Sequence, residues 1–230
     1  MKRIFWMLCG LSLALIAWGF YEAFFVAPTE ATMGDLQRIF YWHVPIASSA
    51  LVFPYANMIA SIAYLVYRRS NYALALKMDA FANATAEITV LYSGLGLATG
   101  MLWGRPAWGI WWAWDARLTS YLMLFLLYVS YLLVRRFSSS GQAPVIAAVL
   151  SVFAGIDVPI VFESITWWRT QHPAPVLRGD GQLDPTMKAA LFWNLGAWFL
   201  WGCALIWARY AIIRREQQIA EREALTALEA

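Results

Sequence analysis

The chain is built of long apolar stretches separated by short segments that hold Pro, Gly and most of the charge. We mark six stretches, at about 4–26, 46–67, 81–102, 118–134, 144–162 and 188–208. A helix needs roughly 20 mostly apolar residues to cross about 30 Å of hydrocarbon, and these stretches match that length. Nothing alternates as the strands of a membrane barrel do. The pattern therefore predicts an all-α membrane protein with a six-transmembrane-helix bundle.

The composition indicates that most of the chain lies in a membrane and not in water. Of the 230 residues, 61% are hydrophobic and 13% charged, whereas a soluble domain is about a quarter charged. This leaves no room for a sizeable soluble domain, so we expect a single integral membrane domain over 1–230. The N-terminal Lys2-Arg3 resembles the start of a signal peptide, but the apolar run continues to Val26 and Pro28 follows it. We therefore expect a retained first helix.

The positions of the basic residues predict the orientation of the bundle. Cytoplasmic loops carry an excess of Lys and Arg. Eleven of the seventeen basic residues fall on one side of the predicted spans: Lys2, Arg3, Arg68, Arg69, Lys77, Arg135, Arg136, Arg209, Arg214, Arg215 and Arg222. Both termini are therefore expected in the cytoplasm, with outer loops at 27–45, 103–117 and 163–188. The charged tail, 210–230, is interpreted as a solvated helix end in preference to a docking surface for a partner.

The two histidines of the chain each fall in an outer loop, His43 in FYWHVP and His172 in TQHPAP. A single histidine near a membrane surface is often only a tolerated polar residue. A pair on either side of an apolar surface can supply both axial ligands of a haem iron, whereas two histidines make a poor zinc site. Cys9 and Cys203 lie alone in apolar runs and form no haem-attachment motif.

The middle outer loop, 103–117, is unusually rich in tryptophan. Its five tryptophans are Trp103, Trp108, Trp111, Trp112 and Trp114. An aromatic belt at the headgroup level is the alternative interpretation, but belts place one or two aromatic residues at a helix end. A dense run interrupted by Gly and Pro favours a flat apolar platform on which a conjugated macrocycle can stack.

Arginines near this platform are candidates for the propionates of a haem, because the guanidinium group matches a carboxylate in geometry. Arg105 and Arg117 flank the tryptophans, and either is an expected ion-pair partner for Asp115. The histidine loops contribute three more: Arg38, Arg169 and Arg178. Which arginine meets which propionate is left open by the sequence.

Two ionisable residues lie inside the predicted spans. Glu87 is expected to contact another helix, and Asp157 is placed near the outer end of its span, where it can reach the interface. Gly96 and Gly100 form a small-xxx-small pair, which predicts close helix packing.

The segment WGRPAWGIWWAWDARLTS resembles the WWD signature of haem-handling proteins. Together with six helices and one histidine in each flanking outer loop, it resembles the cytochrome c maturation protein C family, also called haem exporter protein C. The resemblance covers nearly the whole chain.

This resemblance implies a multi-pass protein of the bacterial inner membrane that binds haem b at the periplasmic face, non-covalently and transiently. His43 and His172 would be the axial iron ligands, and the five tryptophans, Asp115, Arg105 and Arg117 would complete the site. It further implies delivery of haem to a periplasmic haem chaperone during c-type cytochrome biogenesis. The partners would be the ATPase and membrane subunits of an ATP-binding-cassette (ABC transporter) complex, with membrane lipid and no nucleic acid.

Under this interpretation the chain is an assembly factor and not an enzyme, and ATP hydrolysis belongs to a partner because the chain has no GxxxxGK loop. Two alternatives remain. A transmembrane haem transporter subunit would have polar, broken helices near the midplane. A haem b membrane anchor of an electron-transfer complex would carry its histidines on facing helices.

Overall fold

The computed structural model describes residues 2–138, 141–173 and 183–229. Within these ranges the protein is six long α-helices and contains no strand, as the apolar pattern predicts. The helices are α1 (Lys2–Tyr21), α2 (Phe40–Tyr67), α3 (Tyr72–Trp108), α4 (Ala116–Phe137), α5 (Ala143–Trp167) and α6 (Pro185–Glu229).

The segment between α1 and α2 is folded and tied together by one arginine. A π-helical turn, Glu22–Val26, extends α1, and a 3₁₀ turn, Asp35–Ile39, leads into α2. The guanidinium of Arg38 donates hydrogen bonds to the carbonyl of Ala27 at 3.4 Å and to the hydroxyl of Thr29 at 3.1 Å. These bonds fix the end of the first helix against the start of the second.

Helix α2 lies at the centre of the bundle and packs against α3, α5 and α6. Helix α4 contacts α3 and α5, while α1 packs on α6. The approach of α1 is close because Gly19 has no side chain: a Cβ there would lie 2.7 Å from Asn194 Oδ1. The Asn194 amide donates to the Gly19 carbonyl at 2.9 Å, which anchors α1 to the bundle.

Five of the six helices are long and apolar enough to cross a membrane. The exception in the described chain is α3, which contains the predicted span 81–102. This helix is rich in Ala, Gly, Ser and Thr and carries Asp79 and Glu87, which lowers its apolar character. The finding supports a multi-pass membrane protein, and α3 is the one long helix in the described part of the chain without a sufficiently apolar span.

Ion pairs between helices involve both carboxylates of α3, Asp79 and Glu87. Arg135 of α4 forms two hydrogen bonds with Asp79, at 2.6 and 2.9 Å. Arg209 of α6 does the same with Glu87, with a distance of 2.8 Å from Nη2 to Oε1. The expected helix contact of Glu87 is thus confirmed. The expectation for Asp157 is wrong, because its side chain is buried in the bundle, where its Oδ2 has no hydrogen-bond partner among the described residues.

Several boundaries differ from those expected. Helix α2 begins six residues before 46, and α3 continues to Trp108 instead of ending at 102. Both differences arise because Pro45 and Pro106 lie inside helices instead of bounding them. Pro45 falls near the start of α2, and Pro106 removes one backbone hydrogen bond close to the end of α3 without ending the helix. The predicted solvated tail is helical, since α6 runs unbroken to Glu229 with its last turns exposed.

Candidate haem site

His43 lies in the first turns of α2 and not in the outer loop where the sequence placed it. Its ring packs against α3, where a Cβ on Gly100 would lie 3.2 Å from the His43 Cε1 atom. One helical turn earlier, a Cβ on Gly96 would lie 2.5 Å from the Tyr121 hydroxyl of α4. The small-xxx-small pair therefore provides the predicted close packing and receives one side chain from each neighbouring helix.

The second histidine, His172, lies in the loop that follows α5, as expected. Its Nδ1 atom is 2.9 Å from the carbonyl of Pro173, and its backbone N–H donates to the Thr170 hydroxyl at 3.0 Å. Because a carbonyl only accepts hydrogen bonds, Nδ1 carries the proton. The neutral ring then has its lone pair on Nε2, which is free to bind a metal.

The charge state of His172 suits this role. Burial lowers the pKa of His172, and the positive charge of Arg117 lowers it further. The hydrogen bond to Pro173 and the negative charge of Asp115 oppose these effects but are smaller. The imidazole is therefore neutral around pH 7, the form that ligates iron.

The structure brings the two histidines and Arg117 into one region. His43 interacts electrostatically with both His172 and Arg117, and Arg117 also interacts with His172. The Arg117 guanidinium donates to the carbonyl of Val161 on α5, so it links α4 to α5 beside the histidines. Among the described residues, no group of three or more His, Cys, Asp or Glu side chains is placed to hold a metal ion.

Part of the predicted tryptophan loop is helical. Trp103 and Trp108 lie in the last turns of α3, with ring centroids 5.1 Å apart in an edge-to-face arrangement. Gly104 makes room for the second ring, because a Cβ there would lie 3.0 Å from the Trp108 ring. The helix ends at Gly109, whose φ of 77° is the left-handed conformation common at helix ends.

The remaining tryptophans occupy the non-helical segment before α4. Trp111 and Trp114 are 56% and 77% exposed, so their ring faces are available to a ligand or a partner. Trp112 packs edge-to-face on Trp114, with centroids 5.6 Å apart. Its indole N–H is buried and has no hydrogen-bond partner among the described residues. A buried donor in that state can serve an acceptor supplied by a ligand.

Asp115 does not pair with Arg105 or Arg117, in contrast to the expectation. One carboxylate oxygen accepts from the backbone N–H of Leu118 at 2.9 Å and caps the start of α4. The other accepts from the Thr170 hydroxyl at 2.7 Å and from the Gln171 N–H at 3.0 Å. Asp115 therefore connects the tryptophan segment to the loop that carries His172. The hydroxyl that it binds belongs to Thr170, two residues before this histidine.

The other arginines have separate roles. Arg105 donates to the carbonyl of Gly109 at 2.5 Å and so stabilises the end of α3. Arg169 lines a shallow surface pocket with Trp114 and Asp115. Arg38 is engaged by the first outer segment, and Arg178 lies outside the described residues.

Sequence reasoning missed two polar supports of the histidines. Thr99 lies on α3, with its hydroxyl oxygen 2.8 Å from His43 Nδ1, and Thr170 bridges Asp115 and the His172 backbone. Thr170 is the first residue of the TQHP segment, and this closeness to His172 is a local signal in the sequence. No signal in the sequence connected Thr99 to His43, because their contact joins two helices.

Comparison with known proteins gives a consistent result. The sequence profile of the family described as Heme exporter protein C matches residues 1–229. The chain is 40% identical over 192 residues to the Heme exporter protein C of Bradyrhizobium diazoefficiens, covering 82% of this chain and 70% of that protein.

Similar relatives occur in other organisms. The chain is 34% identical over 196 residues to the Heme exporter protein C of Escherichia coli, covering 84% and 77% of the two chains. A ccmC-like mitochondrial protein of cytochrome c biosynthesis from Marchantia polymorpha is 31% identical over 209 residues, covering 86% of this chain and 87% of its own length.

Proposed function

The chain belongs to the haem exporter protein C family, and from this premise we propose that it binds haem b at the outer face of the membrane and hands it on during c-type cytochrome biogenesis. The recipient is a periplasmic haem chaperone. The protein is a carrier and not a catalyst: haem is its cargo, held non-covalently and for a limited time.

One observation carries the proposal: two histidines in one region each have Nδ1 engaged in a hydrogen bond. The partner is the Thr99 hydroxyl for His43 and the Pro173 carbonyl for His172. For His172 this leaves the Nε2 lone pair available, and the same holds for His43 when Nδ1 is the donor. Iron ligation through Nε2, with Nδ1–H held by an outer partner, is the usual arrangement of a metal-bound histidine.

The residues around the histidines fit the rest of the cargo. The exposed rings of Trp111 and Trp114 offer faces for the macrocycle. The unpartnered N–H of Trp112 and the guanidinium of Arg117 provide a donor and a positive charge for the propionates. Arg105 donates to the carbonyl that follows α3, and Asp115 caps α4 and holds the loop of Thr170 and Gln171, so we assign both residues the task of shaping the site.

The distribution of basic residues supports a bacterial inner-membrane orientation with both termini in the cytoplasm and the site on the periplasmic side. The ATPase and membrane subunits of an ABC-type complex would supply the energy of the pathway. The exposed tryptophans face the side from which the chaperone would approach, and a loop-borne ligand suits a site that must open.

Neither alternative receives equal support. A transporter subunit would have helices broken near the midplane, whereas the described helices continue through Pro54 and Pro159. A haem b anchor would carry both ligands on facing helices. His43 does lie in a helix, but His172 lies in a loop.

The visible absorption spectrum of the purified protein tests the proposal. We expect wild-type protein reconstituted with haem to give the low-spin spectrum of bis-histidine iron. His43→Ala and His172→Ala should each bind haem weakly with a changed spectrum, and the double variant should not bind it specifically. A wild-type protein that takes up no haem, or a spectrum indifferent to all three changes, contradicts the proposal.

Added imidazole provides the control for misfolding. If each single variant has lost only a ligand, free imidazole should restore the low-spin spectrum, because it can occupy the vacated position on the iron. A variant whose fold has collapsed would not recover. Lys77→Ala, on the exposed start of α3 and far along that helix from Thr99, should leave the spectrum unchanged.

A further inference from the structure

The ring of His43 is held by a threonine of the neighbouring helix. Thr99 Oγ1 lies 2.8 Å from His43 Nδ1. The same oxygen lies 2.7 Å from the carbonyl of Leu95, four residues earlier in α3, and 3.3 Å from the carbonyl of Gly96. The hydroxyl thus stands between a backbone acceptor of its own helix and the histidine ring of α2.

The short contacts of the Thr99 hydroxyl determine which groups donate and which accept. A hydroxyl has one proton, and a carbonyl can only accept. The short contact to Leu95 therefore places the Thr99 proton on that side, a common arrangement for threonine in a helix. The Thr99 oxygen is then the acceptor for His43, and Nδ1 of His43 must carry the proton.

We infer that Thr99 is a positioning residue that fixes the tautomer and orientation of His43, so that its Nε2 atom faces the cargo as an iron ligand. The consequence for iron ligation rests on the proposed function, whereas the hydrogen bond between Thr99 and His43 does not. An outer acceptor also makes a metal-bound imidazole a stronger ligand, and losing such a partner typically weakens metal affinity about 10- to 100-fold.

The two histidines differ in the group that accepts a hydrogen bond from Nδ1. His172 uses the backbone carbonyl of Pro173, which no substitution removes. His43 uses a side chain, so this partner can be removed by a substitution at residue 99. The backbone of Gly96 also forms a hydrogen bond with the His43 ring, and close packing on Gly100 restricts the ring further.

Histidine-selective ¹⁵N NMR of the haem-free protein tests the inference directly. The chain has two histidines, so the spectrum holds two sets of ring signals, which His43→Ala assigns. We expect the Nδ1–H tautomer at both positions in wild-type protein. Thr99→Val, which keeps the shape but removes the hydroxyl, should shift the His43 signals toward a mixture of tautomers, and Thr99→Ser should restore the wild-type pattern.

Thr89→Val is the matched control. Thr89 also lies on α3 and also donates to the carbonyl four residues earlier, at 2.8 Å, but it is not a hydrogen-bond partner of either histidine. This change should leave both histidines as in wild type. The signals of His172 serve as an internal reference in every variant.

Haem titration supplies the second readout. Thr99→Val should bind haem about 10- to 100-fold more weakly and raise the midpoint potential of the bound iron, since a less basic ligand stabilises ferric iron less. Thr99→Ser should match wild type in both. A His43 tautomer that Thr99→Val does not alter, or an Nε2–H tautomer in wild-type protein, overturns the inference.

The two proposals fail in different ways. If His43→Ala leaves the haem spectrum unchanged, the proposed function fails while the NMR result still stands. If His43→Ala behaves as expected and Thr99→Val changes neither tautomer nor affinity, the role of Thr99 alone is refuted.

Discussion

The two candidate ligands are presented by very different parts of the molecule. His43 belongs to α2, the central helix, and packs on Gly100 and Thr99 of α3. His172 belongs to a loop whose supports are Asp115, Thr170 and the neighbouring Pro173 carbonyl. Moving the first requires two packed helices to separate, whereas the described part of the second segment is held by a few hydrogen bonds. A carrier that must both hold and release its cargo benefits from one fixed and one releasable ligand.

The largest effect is expected from breaking the helical side. Gly100→Val would place atoms where the His43 ring lies, since even a Cβ comes within 3.2 Å of its Cε1. We expect haem binding to fall to the level of His43→Ala, as measured by absorption titration. Gly10→Val is the control, because nothing lies within 4 Å of a Cβ at that glycine. Equal haem binding in Gly100→Val and wild type would mean that α2 and α3 do not hold this ring.

A smaller effect on haem binding is expected from loosening the loop that carries His172. Asp115→Ala removes the acceptor of the Thr170 and Gln171 bonds. Hydrogen bonds to a charged group contribute about 1.5 kcal/mol or more, so haem release should become about tenfold faster, as measured by stopped-flow transfer to apomyoglobin.

The matched control for the loop is Asp184→Ala. Asp184 also accepts from a nearby backbone N–H, that of Thr186 at 2.8 Å, but at the start of α6. It should leave the release rate unchanged. If Asp115→Ala weakens binding only by slowing haem uptake, the loop is not the releasable side.

The sequence predicted the helices of the bundle well, because long apolar runs leave a chain little choice in a membrane. The two histidines that it singled out lie in one region of the structure, and their role as ligands stays a prediction. It misplaced His43 because the predicted span began only after Pro45, and it ended α3 at 102, before Gly104 and Pro106. The helix ends at Trp108 and is followed by Gly109, which has a positive φ, while Gly104 accommodates Trp108.

Other parts of the site could not be predicted from local sequence. The contacts of Asp115 with Thr170 and of Thr99 with His43 join residues more than fifty positions apart. Charge complementarity suggested Arg105 or Arg117 for Asp115, yet helix capping and loop hydrogen bonds occupy that carboxylate. Such choices depend on how the helices pack, which hydrophobic patterns do not specify.

The smallest effect is expected in the titration of His172. The charge of Arg117 lowers the pKa of His172, so Arg117→Gln should raise that pKa toward its ordinary value. The imidazole would then become protonated, and lose its ability to ligate, at a less acidic pH than in wild type. NMR titration of the haem-free protein measures this. Arg105→Gln should not move the titration, because Arg105 is not among the charges that act on His172.

Helix α6 has a mechanical consequence. It runs without interruption over 45 residues, or about 67 Å at 1.5 Å per residue, which is roughly twice the thickness of the hydrocarbon layer. A rod of that length pivoting at one end by about 5° moves its other end by about 6 Å. A force applied to its exposed C-terminal turns would therefore be felt at Pro185, at the opposite end of the helix.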